Sequence, residues 1–266
     1  MKRVPINELL RFMRERILNS ARKTLILDYD GTLAPFNPDP SRAVPYPGMT
    51  GLLRKIRDAG GIVLFLTGRE PEEIVQLIGL SPPIETWGCH GMVRLDSDGK
   101  RHAPVLPENL LSALDETERL VKGIGTGRVE RKAGGVALHW RDLDPKDRAS
   151  TRRSVLAAFK GLDPVGLSAL DFDGGIEFRI DGYDKGRAIR EMLRDLTRRD
   201  FAVFLGDDAT DEQGFSAAAG LGATGILVHP DFRKTGADYH LRPPGELRLF
   251  LESWLSGIEG EGASHD

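Results

Sequence analysis

Four short apolar runs, at residues 24–27, 61–66, 201–205 and 225–228, are rich in Val, Ile, Leu or Phe and predict strands buried on both faces. Three of them run straight into polar residues: Asp28-Tyr29-Asp30-Gly31-Thr32, Thr67-Gly68-Arg69 and Gly206-Asp207-Asp208. Segments with helical spacing separate the runs, at 49–59, 185–196 and 211–219, which implies βαβ crossovers and a mainly parallel sheet. In such sheets ligands bind beyond the carboxyl ends of the strands, where these polar residues collect.

The pattern changes between 104 and 182. A helical stretch at 107–122 leads to strand-like runs at 129–132 and 136–140, then a helix at 145–159 and two more strands at 167–172 and 176–180. Ala133-Gly134-Gly135 and Asp173-Gly174-Gly175 supply the residues that tight hairpin turns need. The order αββαββ predicts an α+β cap inserted at 104–182 into an α/β core made of residues 1–103 and 183–266. At the start of the chain, charges interrupt every apolar run, so the first residues predict an amphipathic helix rather than a signal peptide or a spanning helix. Leu9, Leu10, Phe12, Met13 and Ile17 lie on roughly one side of it and are expected to pack on the core. The Gly/Glu/Ser-containing stretch 257–266 is expected to be a frayed tail.

Composition narrows the functional classes. Lys and Arg number 37 against 40 Asp and Glu, a formal charge of −3, so there is no basic excess to hold a nucleic-acid backbone. No apolar stretch reaches 18 residues, which argues against a membrane partner. Cys89 is the single cysteine; no intrachain disulfide is possible, and a reducing cytoplasmic location fits.

Asp28 and Asp30 stand two residues apart at the mouth of a strand, with Gly31 permitting a sharp turn. Close carboxylates repel unless a cation lies between them, and an oxygen-rich set favours a hard ion such as Mg²⁺. Asp207, Asp208 and Asp211 offer further ligands from another strand end. An aspartate can attack phosphorus to form an aspartyl-phosphate, while a second acid placed as Asp30 serves as proton donor and then acceptor. Thr67, through its hydroxyl and backbone N–H, and Lys185, at a helix start, are expected to hold phosphoryl oxygens. Each motif alone has an ordinary reading: Asp-Gly is a common turn pair, and G-D-D-x-T-D can be a helix N-cap with an acidic first turn. Their order, each after a buried strand, favours one shared site.

D-Y-D-G-T-L at 28–33, T-G-R at 67–69, D-K-G at 184–186 and G-D-D-A-T-D-E at 206–212 resemble the four motifs of the haloacid dehalogenase superfamily, in their usual order. D-Y-D-G-T-L-A-P, G-C-H-G at 88–91, V-E-R-K at 129–132, L-H-W-R at 138–141 and E-F-R-I-D-G-Y-D-K-G at 177–186 are similar to the trehalose-6-phosphate phosphatases in particular. The resemblance covers nearly all of residues 24–240. It implies a Rossmann-like core with Asp28 as nucleophile, Asp30 as general acid/base, and Mg²⁺ held by Asp28, the Asp30 carbonyl and Asp207, with Asp211 orienting the metal's waters. Thr67, Gly68 and Lys185 would bind phosphate. Glu130 and Lys132 would contact glucose hydroxyls, joined by Glu177 in the last cap strand. Arg69 is a further candidate substrate residue, and so is His90, which reads equally as a hydrogen-bonding residue of its loop. Two positions depart from the family pattern: Thr67 stands where many relatives have Ser, and Trp140 where Tyr is more usual.

The expected function is therefore Mg²⁺-dependent hydrolysis of trehalose 6-phosphate, a small sugar phosphate, to trehalose and phosphate. The alternatives are another glycosyl phosphate, such as mannosyl-3-phosphoglycerate or sucrose phosphate, a phosphotransferase or mutase, and a catalytically silent sugar-phosphate sensor. Retention of all four acids and of Lys185 speaks against the sensor. Cys89 and His139–Trp140 read more simply as packed residues, and Arg94 as either a solvated strand charge or a cap-facing anchor.

Overall fold

The computed structural model describes residues 4–260 apart from Pro38, Gly125 and Asp173. The chain divides into two compact units, residues 1–102 with 184–266, and residues 103–183.

The first unit opens with α1 (Ile6–Leu18), β1 (Lys23–Leu27), α2 (Met49–Asp58), β2 (Ile62–Leu66), α3 (Pro71–Ile78), β3 (Thr86–Gly88), β4 (Val93–Leu95) and β5 (Arg101–His102). The inserted unit contributes α4 (Glu108–Ile124), β6 (Arg128–Lys132), β7 (Gly135–His139), α5 (Pro145–Leu162), β8 (Leu167–Phe172) and β9 (Gly175–Ile180). The first unit resumes with α6 (Lys185–Met192), β10 (Phe201–Gly206), α7 (Glu212–Gly220), β11 (Thr224–Val228), β12 (Tyr239–Leu241) and α8 (Gly245–Glu259).

Its sheet runs β12-β11-β10-β1-β2-β3-β4-β5, parallel throughout except for β4, which runs antiparallel to both β3 and β5. β1 lies in the interior, paired with β10 on one side and β2 on the other, and all five of its residues are buried. Two apolar clusters cover the two faces of the sheet. Leu25 and Leu27 join Met13, Leu53, Phe250 and Trp254 on one, and Ile26 joins Leu66, Ile189, Phe204 and Phe215 on the other. Trp254 is fully buried and stacks on Phe201 with centroids 5.7 Å apart, an aromatic pair that anchors α8 to the sheet.

The fold is the α/β class expected from the sequence, with three differences of detail. On α1 only Leu9, Met13 and Ile17 are buried; Leu10 is half-buried and Phe12 is exposed, because a 3.6-residue period carries position 12 off the stripe shared by 9, 13 and 17. Residues 257–259 are not frayed: α8 runs to Glu259, Ile258 is buried and Gly257 lies against Ile17, where a Cβ would meet Cγ2 at 3.0 Å. The remaining tail, 261–266, lies outside the described residues. The helix expected over 185–196 stops at Met192.

The inserted unit is a four-stranded antiparallel sheet, β6-β7-β9-β8, in the order αββαββ. Val136, Leu138, Ile176 and Phe178 are buried on its helix-covered face, where the Phe178 ring meets Phe159 of α5 at 4.4 Å. Arg131 on that face pairs with Asp115 of α4 at 3.2 Å. Gly174 takes φ +84 in the β8–β9 turn, whose Asp173 lies outside the described residues.

Candidate active site

The register pairs Leu27 with Phe65 on one side and Leu205 on the other, so Asp28, Thr67 and Asp207 leave the sheet at one edge. The Asp28 N–H donates to the Leu205 carbonyl at 2.8 Å, holding the first residue past β1 in the ladder. A tight loop follows: Gly31 N–H donates to Ala34 O at 2.7 Å, and the Leu33 and Ala34 amides both donate to Tyr29 O. Gly31 adopts φ +82, and a Cβ on it would fall 2.0 Å from Asp207 Oδ2. Only glycine permits both that backbone and that approach.

Asp28, Asp207 and Asp211 each offer a carboxylate oxygen within 4.8 Å of the others, and all three are buried. Lys185 Nζ lies among them, 2.7 Å from Asp28 Oδ1 and 2.6 Å from Asp211 Oδ1, with its side chain 3% exposed. One ammonium against three carboxylates leaves two negative charges in a desolvated place. Burial, aided by the charges of Asp211 and Asp30 and opposed by Lys185, leaves the Asp28 carboxyl raised to about 7. Asp207 is raised well above the ordinary carboxylate range by burial and by the charges of Asp28 and Asp211. Burial works against the Lys185 ammonium, but Asp211 and Asp28 outweigh it and raise its pKa. Such a cluster of hard oxygen donors fits a divalent cation such as Mg²⁺, whose charge would cancel the excess. Asp28, Asp207 and Asp211 could hold it.

Asp211 has further duties. Its Oδ2 accepts from the Asp207 and Asp208 amides, both at 3.0 Å, while Oδ1 takes Lys185. It thereby shapes the loop that carries Asp207. Asp30, by contrast, turns its side chain out of the cluster. Its carboxylate receives a two-pronged bond from Arg69, Nε to Oδ2 and a terminal nitrogen to Oδ1, both 2.6 Å. Arg69, expected as a substrate contact, is thus engaged with Asp30, with the Pro40 carbonyl at 2.8 Å and with the Tyr29 ring at 5.6 Å.

Thr67 is buried at the end of β2, and its backbone N–H is not available to a ligand as expected: it donates to Trp87 O at 2.9 Å, continuing the ladder with β3. Its hydroxyl oxygen accepts from the Arg69 amide at 3.2 Å. His90, 8% exposed, donates its N–H to Thr67 O, and its ring covers Gly68 so closely that a Cβ there would meet Cε1 at 2.8 Å. Cys89, His90 and Gly91 take φ of +48, +56 and +95 in succession, and Gly91 abuts Ala188 of α6, the helix that begins with Lys185. Cys89 is a buried packing residue whose Sγ lies 3.2 Å from Glu70 Oε1. Arg94 lies over the Trp87 ring at 5.7 Å and 3.7 Å from Glu85, in a strand-to-strand contact within the first unit.

Residues 26–240 match the model of the family described as trehalose-phosphatase. The chain belongs to that family. It is 32% identical over 256 residues to a trehalose-phosphate phosphatase of Mycobacterium marinum, a match covering 91% of this chain and 64% of that protein. The C-terminal domain of the Candida albicans trehalose-6-phosphate phosphatase superposes with a TM-score of 0.77 at 21% identity, over 94% of this chain and 96% of that one. A phosphatase of the haloalkanoate (HAD) enzyme superfamily from Bacteroides thetaiotaomicron shares the fold with a TM-score of 0.61 at 17% identity, over 89% and 96% of the two chains. The chain spans just under two thirds of the mycobacterial relative.

As a member of the trehalose-phosphatase family, the chain carries in its inserted unit a polar sheet face opposite the helices. Glu130 of β6 is in register with Ala137, and Ala137 with Glu177 of β9, so the two acids flank a residue that has only a methyl group. Lys132 Nζ lies 3.2 Å from Glu177 Oε1, and His139 Nε2 2.7 Å from Glu130 Oε2. Burial opposes the Glu130 charge, but the His139 hydrogen bond, with Lys132 and Arg128 nearby, outweighs it and holds the carboxyl down at about 2. His139, read from sequence as a packed residue, is therefore the partner of Glu130; Trp140 next to it is buried. No helix among the described residues is long and apolar enough to cross a membrane.

Two residues of the first unit enter the site without having been singled out. Thr32 places Oγ1 3.5 Å from Asp207 Oδ1, a long contact that the D-x-D-G-T spacing could have signalled. Arg233, between β11 and β12, donates to the carbonyls of Asp207 and Asp208, and nothing in the local sequence marks it.

Proposed function

We propose that the protein is a Mg²⁺-dependent phosphatase that hydrolyses trehalose 6-phosphate through an aspartyl-phosphate on Asp28. The observation that carries this reading is the buried carboxylate trio at the end of β1 and β10, with one lysine and two uncancelled charges. Family membership supports the substrate class. Asp28 attacks phosphorus, and the bond from phosphorus to the sugar oxygen breaks as that oxygen takes a proton from Asp30. Asp30 then removes a proton from a water that attacks the aspartyl-phosphate, releasing inorganic phosphate and regenerating Asp28. Lys185 and the Thr67 hydroxyl hold the non-bridging oxygens. The metal, when bound, supplies charge neutralisation between an anionic nucleophile and an anionic substrate.

Selection of the disaccharide is assigned to the polar face of the inserted unit. Glu130, Lys132 and Glu177 present charged donors and acceptors suited to sugar hydroxyls. The single cysteine, which can form no intrachain disulfide, supports a reducing cytoplasmic location.

The test is a phosphate-release panel of trehalose 6-phosphate, sucrose 6-phosphate, mannosyl-3-phosphoglycerate and glucose 6-phosphate, with Mg²⁺ and with a chelator. Preference for trehalose 6-phosphate, abolished by chelation and by Asp28→Asn, is expected. Comparable rates across the panel would sink the substrate assignment, and full activity of Asp28→Asn the nucleophile.

A further inference from the structure

We infer that Arg233 is a positioning residue for the metal-binding loop, setting Mg²⁺ affinity by fixing the backbone of Asp207. This rests on the reading of Asp207 as a metal ligand. The guanidinium donates twice to the Asp207 carbonyl, Nε at 3.1 Å and one terminal nitrogen at 3.0 Å, and that nitrogen also reaches the Asp208 carbonyl at 2.9 Å. The other terminal nitrogen pairs with Glu212 Oε1 at 2.5 Å and with the Lys234 carbonyl at 3.1 Å. Glu212 in turn accepts the Gly236 N–H through Oε2 at 2.7 Å.

Four of these five hydrogen bonds from one planar group tie the connection between β11 and β12 to Asp207 and Asp208, which follow β10, and to Glu212 at the start of α7; the fifth, to the Lys234 carbonyl, stays within the connection. Asp207 is gripped from two directions: its N–H by Asp211, its carbonyl by Arg233. With both backbone groups held, the position of the Asp207 carboxylate depends on little more than its own side-chain torsions. A carboxylate already placed loses less conformational freedom when it takes up a cation, and partners behind metal ligands commonly govern affinity in this way. Arg233 and Glu212 keep side chains 27% and 32% exposed, so the clamp lies at the surface rather than in the core. A surface clamp of this kind can be altered without opening a cavity. Lysine at 233 would keep the charge but lose the planar set of donors that reaches two carbonyls and a carboxylate at once.

The test is calorimetric titration of Mg²⁺ into substrate-free protein for the parent, Arg233→Ala, Arg233→Lys, Glu212→Gln and Asp207→Asn, with circular dichroism confirming the fold. Arg233→Ala is expected to weaken Mg²⁺ binding by about 10-fold to 100-fold, with Arg233→Lys and Glu212→Gln between it and the parent. In turnover, the Mg²⁺ concentration for half-activation should rise while kcat at saturating Mg²⁺ is largely kept. Unchanged Mg²⁺ affinity in folded Arg233→Ala, with binding lost in Asp207→Asn, overturns the role of Arg233 and leaves the metal site standing. Undiminished binding in Asp207→Asn overturns the metal reading itself, and this inference with it. If Arg233→Ala does not fold, parent-like affinity in both Arg233→Lys and Glu212→Gln overturns the proposal.

Discussion

Lys185 Nζ stands 2.7 Å from Asp28 Oδ1, a contact between residues 157 positions apart in sequence. The ammonium is the cation that the buried trio of carboxylates has within hydrogen-bond reach among the described residues, and its removal leaves like charges desolvated together. Lys185→Met is expected to lower stability by about 3–5 kcal/mol in chelator, the cost of breaking a buried ion pair on one side. Urea unfolding near neutral pH measures it. A loss below about 1 kcal/mol, the range of a surface pair, would contradict the geometry.

Gly31 and Gly60 both adopt positive φ, +82 and +91, but a Cβ on Gly60 meets nothing within 4 Å, whereas one on Gly31 strikes the Asp207 carboxylate. Gly60→Ala is expected to cost about 1 kcal/mol of backbone strain and leave turnover intact. Gly31→Ala carries the same strain and also displaces Asp207, so its kcat/KM should fall more than tenfold. Equal activities in the two variants would show that the loop yields freely.

The two-pronged bond from Arg69 fixes Asp30 without occupying the carboxylate trio. Arg69→Lys, which keeps the charge but loses the fork, should lower kcat with KM little changed, by up to about 100-fold, the lower end of what a positioned acid/base supplies. A rise in KM with kcat preserved would instead make Arg69 the substrate contact that the sequence suggested.

Glu130 is held at about 2 in the folded protein against an ordinary value of 4.5. The stability it contributes is therefore fully present above pH 4.5 and lost as pH falls from 4.5 toward 2. Glu130→Gln should be less stable than the parent near neutral pH, and the difference should shrink across that window. Thermal melts at a series of pH values follow it, and a pH-independent difference would rule out the His139 pairing as its source.

The central strands were legible because β1, β2, β10 and β11 are buried on one or both faces and read as continuous apolar runs. β3, β4, β5 and β12 have only two or three residues each, too short for any period to show. The stripe Leu247, Phe250, Leu251, Trp254, Leu255 and Ile258 does have helical spacing, so α8 was within reach of the same reasoning. In the site, strand ends located Asp28, Thr67 and Asp207, whose positions follow from register. What register does not carry is side-chain and backbone commitment. That Arg69 turns to Asp30 and that Arg233 reaches back to Asp207 depend on loops whose paths no periodicity encodes, and the Thr67 amide is taken by Trp87 because the ladder continues into β3, a strand too short for any period to show.

The strand order also bears on synthesis. Asp28 emerges from the ribosome with the first strand, while Lys185, Asp207 and Asp211 follow only after the whole insertion has been made. β1 must wait for β10 to cover its other edge, so a nascent chain halted within the insertion exposes an unpaired apolar strand edge next to a half-built carboxylate cluster. Chaperone engagement and protease sensitivity should therefore peak in chains stalled there and fall once residue 211 is free of the exit tunnel.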